Sequence, residues 1–169
     1  ASPSSVEGVY DQVDLLGEAT GHATDAARLI ADMQAGVEEI RSEIGDAADA
    51  PTVFHEIDNT YYTAGPGSFI ADLYDILGAG NIAEATGQPF PQMSTEAIIE
   101  ADPEVIILAD EVAGESPDTV GDRPGWGSVS AVRNSRIHVV DPDIVSRPGP
   151  RLVEALRTLA AYLYPELFP

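Results

Sequence analysis

The stretch EVIILA, Glu104 to Ala109, is apolar at every position after its first. A strand with one wet face alternates apolar and polar residues, so an unbroken apolar run of this length belongs in a parallel sheet covered on both faces. That requirement predicts helices above and below a sheet, and the rest of the chain supplies them. TVFHEI at 52–57 reads as a second buried strand, and RIHVV at 136–140 as a third. Between them, SFIADLYDILG places Phe69, Ile70, Leu73, Ile76 and Leu77 on one helical face and ends at Gly78. A short helix in MSTEAIIEA leads through Asp102-Pro103 into the apolar strand. Another short helix is expected to end at Val132, and the last to run from Pro150 to Tyr164. Strands alternating with helices give an α/β class, here a three-layer αβα lobe around a small, mainly parallel sheet.

Two helices precede the sheet. The first pattern runs from Val6 to Leu16, with GEATGHAT read as its break and Thr24 as the N-cap of the second. In the second, Ala26, Leu29, Ile30, Met33, Val37, Ile40 and Ile44 recur at three- and four-residue steps. They form one apolar stripe over residues 24–44, about 30 Å long. The chain therefore divides into a helical segment over residues 1–50 and an α/β lobe over residues 51–169.

The charge balance narrows the function. Twenty-nine acidic residues face 8 basic ones, for a net charge of −21, and every basic residue is an arginine. Such a field repels nucleic acid and anionic lipid. The acids are spread through periodic apolar segments, so the chain is expected to fold, with a surface suited to molar salt, where screening over about 3 Å relieves self-repulsion. Absent cysteine excludes disulfide and thiol chemistry. His22, His55 and His138 are far apart with no metal-ligand spacing, so no metal site is expected. AGPGSF frees amides ahead of Ser68 but lacks phosphate-loop spacing and a lysine, and reads as a helix cap. With no nucleophile and base at recognisable spacing, neither a catalytic residue nor a catalytic cofactor is expected, and the chain is read as a non-enzyme.

Ligands of open parallel sheets collect beyond the carboxyl ends of the strands. Those loops carry Asp58 to Thr63 after the first strand, Asp110 and Glu111 after the second, and Asp141 to Arg147 after the third. Tyr61 and Tyr62 are adjacent and point in different directions, so at most one is expected to pack on a flat ligand. In SRPGPR the prolines Pro148 and Pro150 fix backbone angles beside Arg147, which suits an arginine held for recognition. The same residues also read as the start of the last helix, with Pro150 first and Arg151 on its solvent face.

Taken together, YYTAGPGSFIADLYDILGAGNIA, PQMSTEAIIEADPEVIIL and VVDPDIVSRPGPRLVEALRTLAAYLYPELF resemble the C-terminal lobe of substrate-binding proteins of ABC importers. The branch is the one serving cobalamin, haem and ferric siderophores, whose two α/β lobes are joined by one long, rigid helix. The resemblance covers nearly the whole chain. It implies that the 24–44 helix joins the lobes and that an N-terminal lobe precedes Ala1. It implies a ligand in the interlobe cleft, touched on this side by Tyr61, Tyr62 and Thr63 and by Ile144, Ser146 and Arg147. It further implies that Glu96 docks onto the ABC permease subunits; physically, Glu96 lies in the first turn of a helix that Ser94 can cap, where the dipole favours a carboxylate. RPGPR is most like the cobalamin branch, so the carried ligand is expected to be cobalamin or a related corrinoid, with ferric siderophore or haem as alternatives. No aromatic stands between Asp141 and Arg147 to stack on a corrin. The implied location is extracellular, tethered to the surface of a halophile's cell, without direct membrane insertion of this chain. An acidic protein-interaction domain, which high salt would weaken, is the alternative of a different class.

Overall fold

The computed structural model describes residues 2–45, 50–110 and 114–168. At its centre four strands, β1 (Thr52–Glu56), β2 (Gly80–Asn81), β3 (Val105–Leu108) and β4 (Ile137–Val139), form an all-parallel sheet in the order β2-β1-β3-β4. β1 and β3 pair from Val53 with Val105 to Glu56 with Leu108. All four residues of β3 are inaccessible to solvent, as its apolar run demands.

The pleat divides the core in two. Val53, Val105 and Ile107 face a layer made by α1 (Val6–Thr20), α2 (Ala23–Ile44), α3 (Phe69–Leu77) and α8 (Leu152–Leu163). Phe54, Ile106 and Leu108 face the other layer, built from α4 (Thr95–Ala101), α5 (Pro117–Gly121), a 3-10 turn at Trp126–Ser128 and α6 (Ser130–Arg133). Helices on both faces of a parallel sheet make the expected αβα sandwich.

Five local details depart from the sequence reading. GAGNIA supplies a fourth strand, β2, tied to β1 by Gly80 N–H to Pro51 O at 3.0 Å and Ile82 N–H to Val53 O at 3.2 Å. α1 continues through Gly17 to Thr20 instead of breaking after Leu16. Gly17 is needed where the two helices touch, since a Cβ there would lie 2.3 Å from the Ala26 Cβ; the chain reverses only at Gly21, at φ 77°. α2 starts at Ala23 with no side-chain cap, so Thr24 lies in its first turn and does not cap it. The last helix begins at Leu152, because Leu152 N–H closes onto Gly149 O at 3.0 Å and Pro150 sits in the turn ahead of it. A short helix α7 (Pro142–Val145), capped by Asp141, occupies the segment before Arg147.

The α2 stripe is buried at Ala26, Met33, Val37 and Ile40, while Leu29 is 36% exposed. Serines start the helices that flank the sheet: Ser68 Oγ accepts from Ala71 N–H and Ser94 Oγ from Ala97 N–H, both at 3.2 Å. At the far end of α8, Arg136 donates to the carbonyls of Tyr162 and Leu163, a cation where the helix dipole is negative. No helix among the described residues is long and apolar enough to cross a membrane.

Candidate functional site

The connection from β1 to β2 runs through α3 on one face, and the route on to β3 runs through α4 on the other. β1 and β3 are therefore the neighbours at which the winding reverses, and their carboxyl ends, Glu56 and Leu108, mark the crevice where ligands of such sheets bind.

The loop after β1 is stiff. The Asp58 carboxylate accepts from the Thr60 N–H at 2.8 Å and from its hydroxyl at 2.5 Å, and the Thr60 hydroxyl bond is the main reason the Asp58 carboxyl sits below its ordinary range. Residues 61–65 then pair with 89–93: Thr63 N–H reaches Pro91 O, Gly65 N–H reaches Pro89 O, and Met93 N–H reaches Tyr61 O, at 2.9 to 3.1 Å. Gly65 permits this approach, because a Cβ there would fall 2.2 Å from the Gln88 carbonyl oxygen. Tyr62 stands opposite Gln92 in this ribbon. Tyr62 lies within the ribbon and Phe90 in the bend at residues 89–90 where its second strand begins. They are 40% and 56% exposed, two aromatic rings open to solvent at the sheet edge.

The other residues singled out from sequence take different places. Tyr61, at φ 67°, turns its ring inward onto Trp126, with centroids 5.7 Å apart. Thr63 is fully buried, and its hydroxyl has no partner among the described residues. Ile144 is half-buried against the core under α7, and Ser146 is half-buried at its end. Arg147 is largely exposed and pairs with Asp143 one helical turn back, at 2.6 Å. Glu96 is exposed on α4, on a different connection from these loops, behind the Ser94 cap. Asp110 is buried, and Glu111 lies outside the described residues.

A mainly apolar cavity of about 310 Å³ opens between the segment at residues 2–4, the start of α3 and the loop after α7, lined among others by Pro3, Ile57, Phe69, Phe90, Ser146 and Pro148. Phe90 links this cavity to the Tyr62 ribbon. Sequence reading passed over it, although an exposed phenylalanine between two prolines in QPFPQ is the signal that marks it.

Behind the ribbon lies a charged layer. Arg123 grips Glu56 through two bonds, Nη1 to Oε2 at 2.6 Å and Nη2 to Oε1 at 2.5 Å, and also reaches Glu115 at 2.7 Å. Its guanidinium lies 4.7 Å from the Trp126 ring centroid and 5.2 Å from that of Tyr61. The histidines take no part: His55 is buried against Tyr74 at 2.7 Å, His138 stacks on Tyr162, and His22 is exposed near Asp25. Burial holds His55 neutral, with its pKa lowered to about 4. Among the described residues no group of three or more metal-ligating side chains converges.

A family model described as periplasmic binding protein matches residues 1–144. An ABC transporter substrate-binding lipoprotein of Bacillus subtilis is 33% identical over 165 residues, covering 95% of this chain and 51% of its own length. A cobalamin-binding protein of Halobacterium salinarum is 29% identical over 163 residues, covering 93% of this chain and 44% of its own. The chain thus spans about half the length of these relatives. Among solved structures, a protein of Staphylococcus epidermidis described as a possible iron-binding (periplasmic solute-binding) protein superposes with a TM-score of 0.88 at 30% identity, over 96% of this chain and 64% of that one. A periplasmic haem-binding protein of Roseiflexus reaches 0.87 at 24% identity, over 99% of this chain and 66% of that one, a likeness of fold.

Proposed function

The chain belongs to the periplasmic binding protein family, and we propose that it is the C-terminal lobe of a carrier that captures cobalamin or a related corrinoid and delivers it to an ABC permease. One observation carries this reading: at the carboxyl edge of an all-parallel sheet, Tyr62 in a braced ribbon and Phe90 at its bend both stand exposed, and Phe90 lines an apolar cavity. Two aromatic rings on a stiff support suit a large, flat ligand, because they bring apolar area to the contact at little entropic cost.

At about 310 Å³ the cavity stands at the bottom of the range of roughly 300–1,000 Å³ that encloses drug-sized ligands, and a corrinoid is larger than these. A second surface must complete it. In this account that surface is an N-terminal lobe ahead of the chain, α2 is the helix joining the lobes, and residues 51–169 form this lobe. Residues Tyr62, Phe90, Ile144, Ser146 and Arg147 line the cleft, Tyr61 and Thr63 hold the ribbon from beneath, and Glu96 meets the permease.

One further point supports a corrinoid: the relative of Halobacterium salinarum is named for cobalamin. Haem is the second reading, supported by the name of the Roseiflexus protein and by Arg147 and Arg151, whose guanidinium groups on the same edge suit ligand carboxylates. The carrier works outside the cytoplasm, tethered to the cell surface. Titration of the two-lobe protein in molar potassium chloride with cyanocobalamin, haemin and a ferric hydroxamate tests the assignment. Saturable binding of cyanocobalamin alone is expected. Binding of haemin or the hydroxamate alone moves the assignment to that ligand, and binding of none overturns the carrier reading.

A further inference from the structure

Asp110 is the most anomalous polar group among the described residues. It follows β3 at the switch point, is 5% exposed, and neither carboxylate oxygen meets an N–H or hydroxyl donor among the described residues, which leaves the neighbouring Glu56 carboxyl as the group with which it can share a proton. Its charged neighbours come from three other places: Glu56 from the end of β1, Glu115 ahead of α5, and Arg123 after α5. Arg123 is already committed to Glu56 and Glu115 and makes no bond to Asp110. Three carboxyls thus share one guanidinium in a half-dry site, and the third is left without a counter-ion. Carboxyls so placed do not all ionise together.

We propose that a proton on Asp110 holds Arg123 in its seat on Tyr61 and Trp126, so that Asp110 is a proton-operated positioning residue for the ligand-facing ribbon. With Asp110 neutral, the buried group carries Glu56, Glu115 and one arginine. The arginine spans β1 and the segment after α5, and its flat face supports Tyr61 in its left-handed conformation. Loss of the Asp110 proton places a second full charge against Glu56. Arg123 is then drawn toward a third carboxylate, away from the aromatic pair, and Tyr61 loses its support one residue before Tyr62. Desolvation first, then the charge of Glu56, raises the Asp110 carboxyl to about 7, so the step falls near neutral pH.

The part of the proposal that concerns the ligand rests on the reading of Tyr62 as a cleft residue. The test separates the two. Trp126 is the only tryptophan of the chain and lies under Arg123, so its fluorescence reports the seat without any ligand. In this chain the emission is expected to change in one step between about pH 6 and 8, and Asp110→Asn, nearly isosteric and unable to ionise, is expected to abolish that step. In the two-lobe protein, cyanocobalamin affinity is expected to fall about tenfold over the same range and to become independent of pH in Asp110→Asn. A wild-type emission that does not change, or a step that survives Asp110→Asn, overturns the proton switch. A step in emission with an affinity that stays flat overturns its link to the ribbon. Absence of cyanocobalamin binding at every pH contradicts the corrinoid assignment, and the emission arm then decides the switch alone.

Discussion

Arg123 and Glu56, 67 residues apart in the chain, meet through two parallel bonds at the carboxyl end of β1, with the Glu56 side chain fully buried and that of Arg123 11% exposed. The pair locks the central strand to the segment after α5, directly behind the aromatic ribbon. Its strength lies in completeness: each partner of a buried pair is costly once the other is removed.

Arg123→Ala is therefore expected to destabilise the chain by about 3 to 5 kcal/mol, because it strands Glu56 in a dry site. Urea unfolding followed by circular dichroism measures this. A loss under about 1 kcal/mol contradicts the view that the pair is a structural anchor.

Stability should depend on pH through two groups of opposite sign. The His55 pKa is about 4 in the fold against 6.5 for a free histidine. The unfolded chain then binds the extra proton, and the contribution of His55 is complete above about pH 6.5 and lost as pH falls toward 4, at most about 3 kcal/mol. Asp110 sits at about 7 in the fold, against 3.8 when free. Its contribution is complete below 3.8 and lost as pH rises through 7. Asp110→Asn should accordingly be more favourable, relative to wild type, at alkaline than at mildly acid pH, as read from thermal unfolding at several pH values. A difference that does not vary with pH contradicts the buried position of Asp110.

Glu96 is exposed on α4, and its carboxylate has no bonding partner among the described residues. Glu96→Ala should leave unfolding and ligand affinity unchanged while lowering uptake through the permease, measured in cells or proteoliposomes. Loss of affinity along with uptake contradicts a docking role.

Arg147 is paired with Asp143 in solvent, a contact of the kind that contributes about 0 to 1 kcal/mol. Arg147→Ala is expected to leave the melting temperature nearly unchanged and to weaken ligand binding severalfold. Unaltered affinity would assign SRPGPR to the start of α8 alone.

What the sequence made legible follows from how local each signal is. The apolar run of β3, the α2 stripe and the Ser68 and Ser94 caps are written in neighbouring residues, and the structure contains them. β2 escaped because glycine and asparagine carry no strand preference, and two residues pair there only because Pro51 and Val53 offer carbonyls alongside. Gly17 was misread as a break because its reason is Ala26 on the next helix. At the candidate site, the adjacency of Tyr61 and Tyr62 indicated that at most one ring packs on a flat ligand. Which one depends on Trp126, 65 positions further on. The Glu56–Arg123 lock and the unpartnered Asp110 exist only after β1, β3 and α5 have been brought together, and no local pattern announces them.

On the proposed reading, the ribbon that carries Tyr62 and Phe90 is one wall of a corrinoid cleft. The most direct test is calorimetric titration of the two-lobe protein with cyanocobalamin, comparing wild type with the double variant Tyr62→Ala, Phe90→Ala. Both side chains are exposed, so the variant should fold normally. Saturable wild-type binding is expected, with at least about a tenfold loss of affinity in the variant, the order expected for removing two aromatic contacts. Equal affinities in the two proteins, or no binding by either, would contradict it.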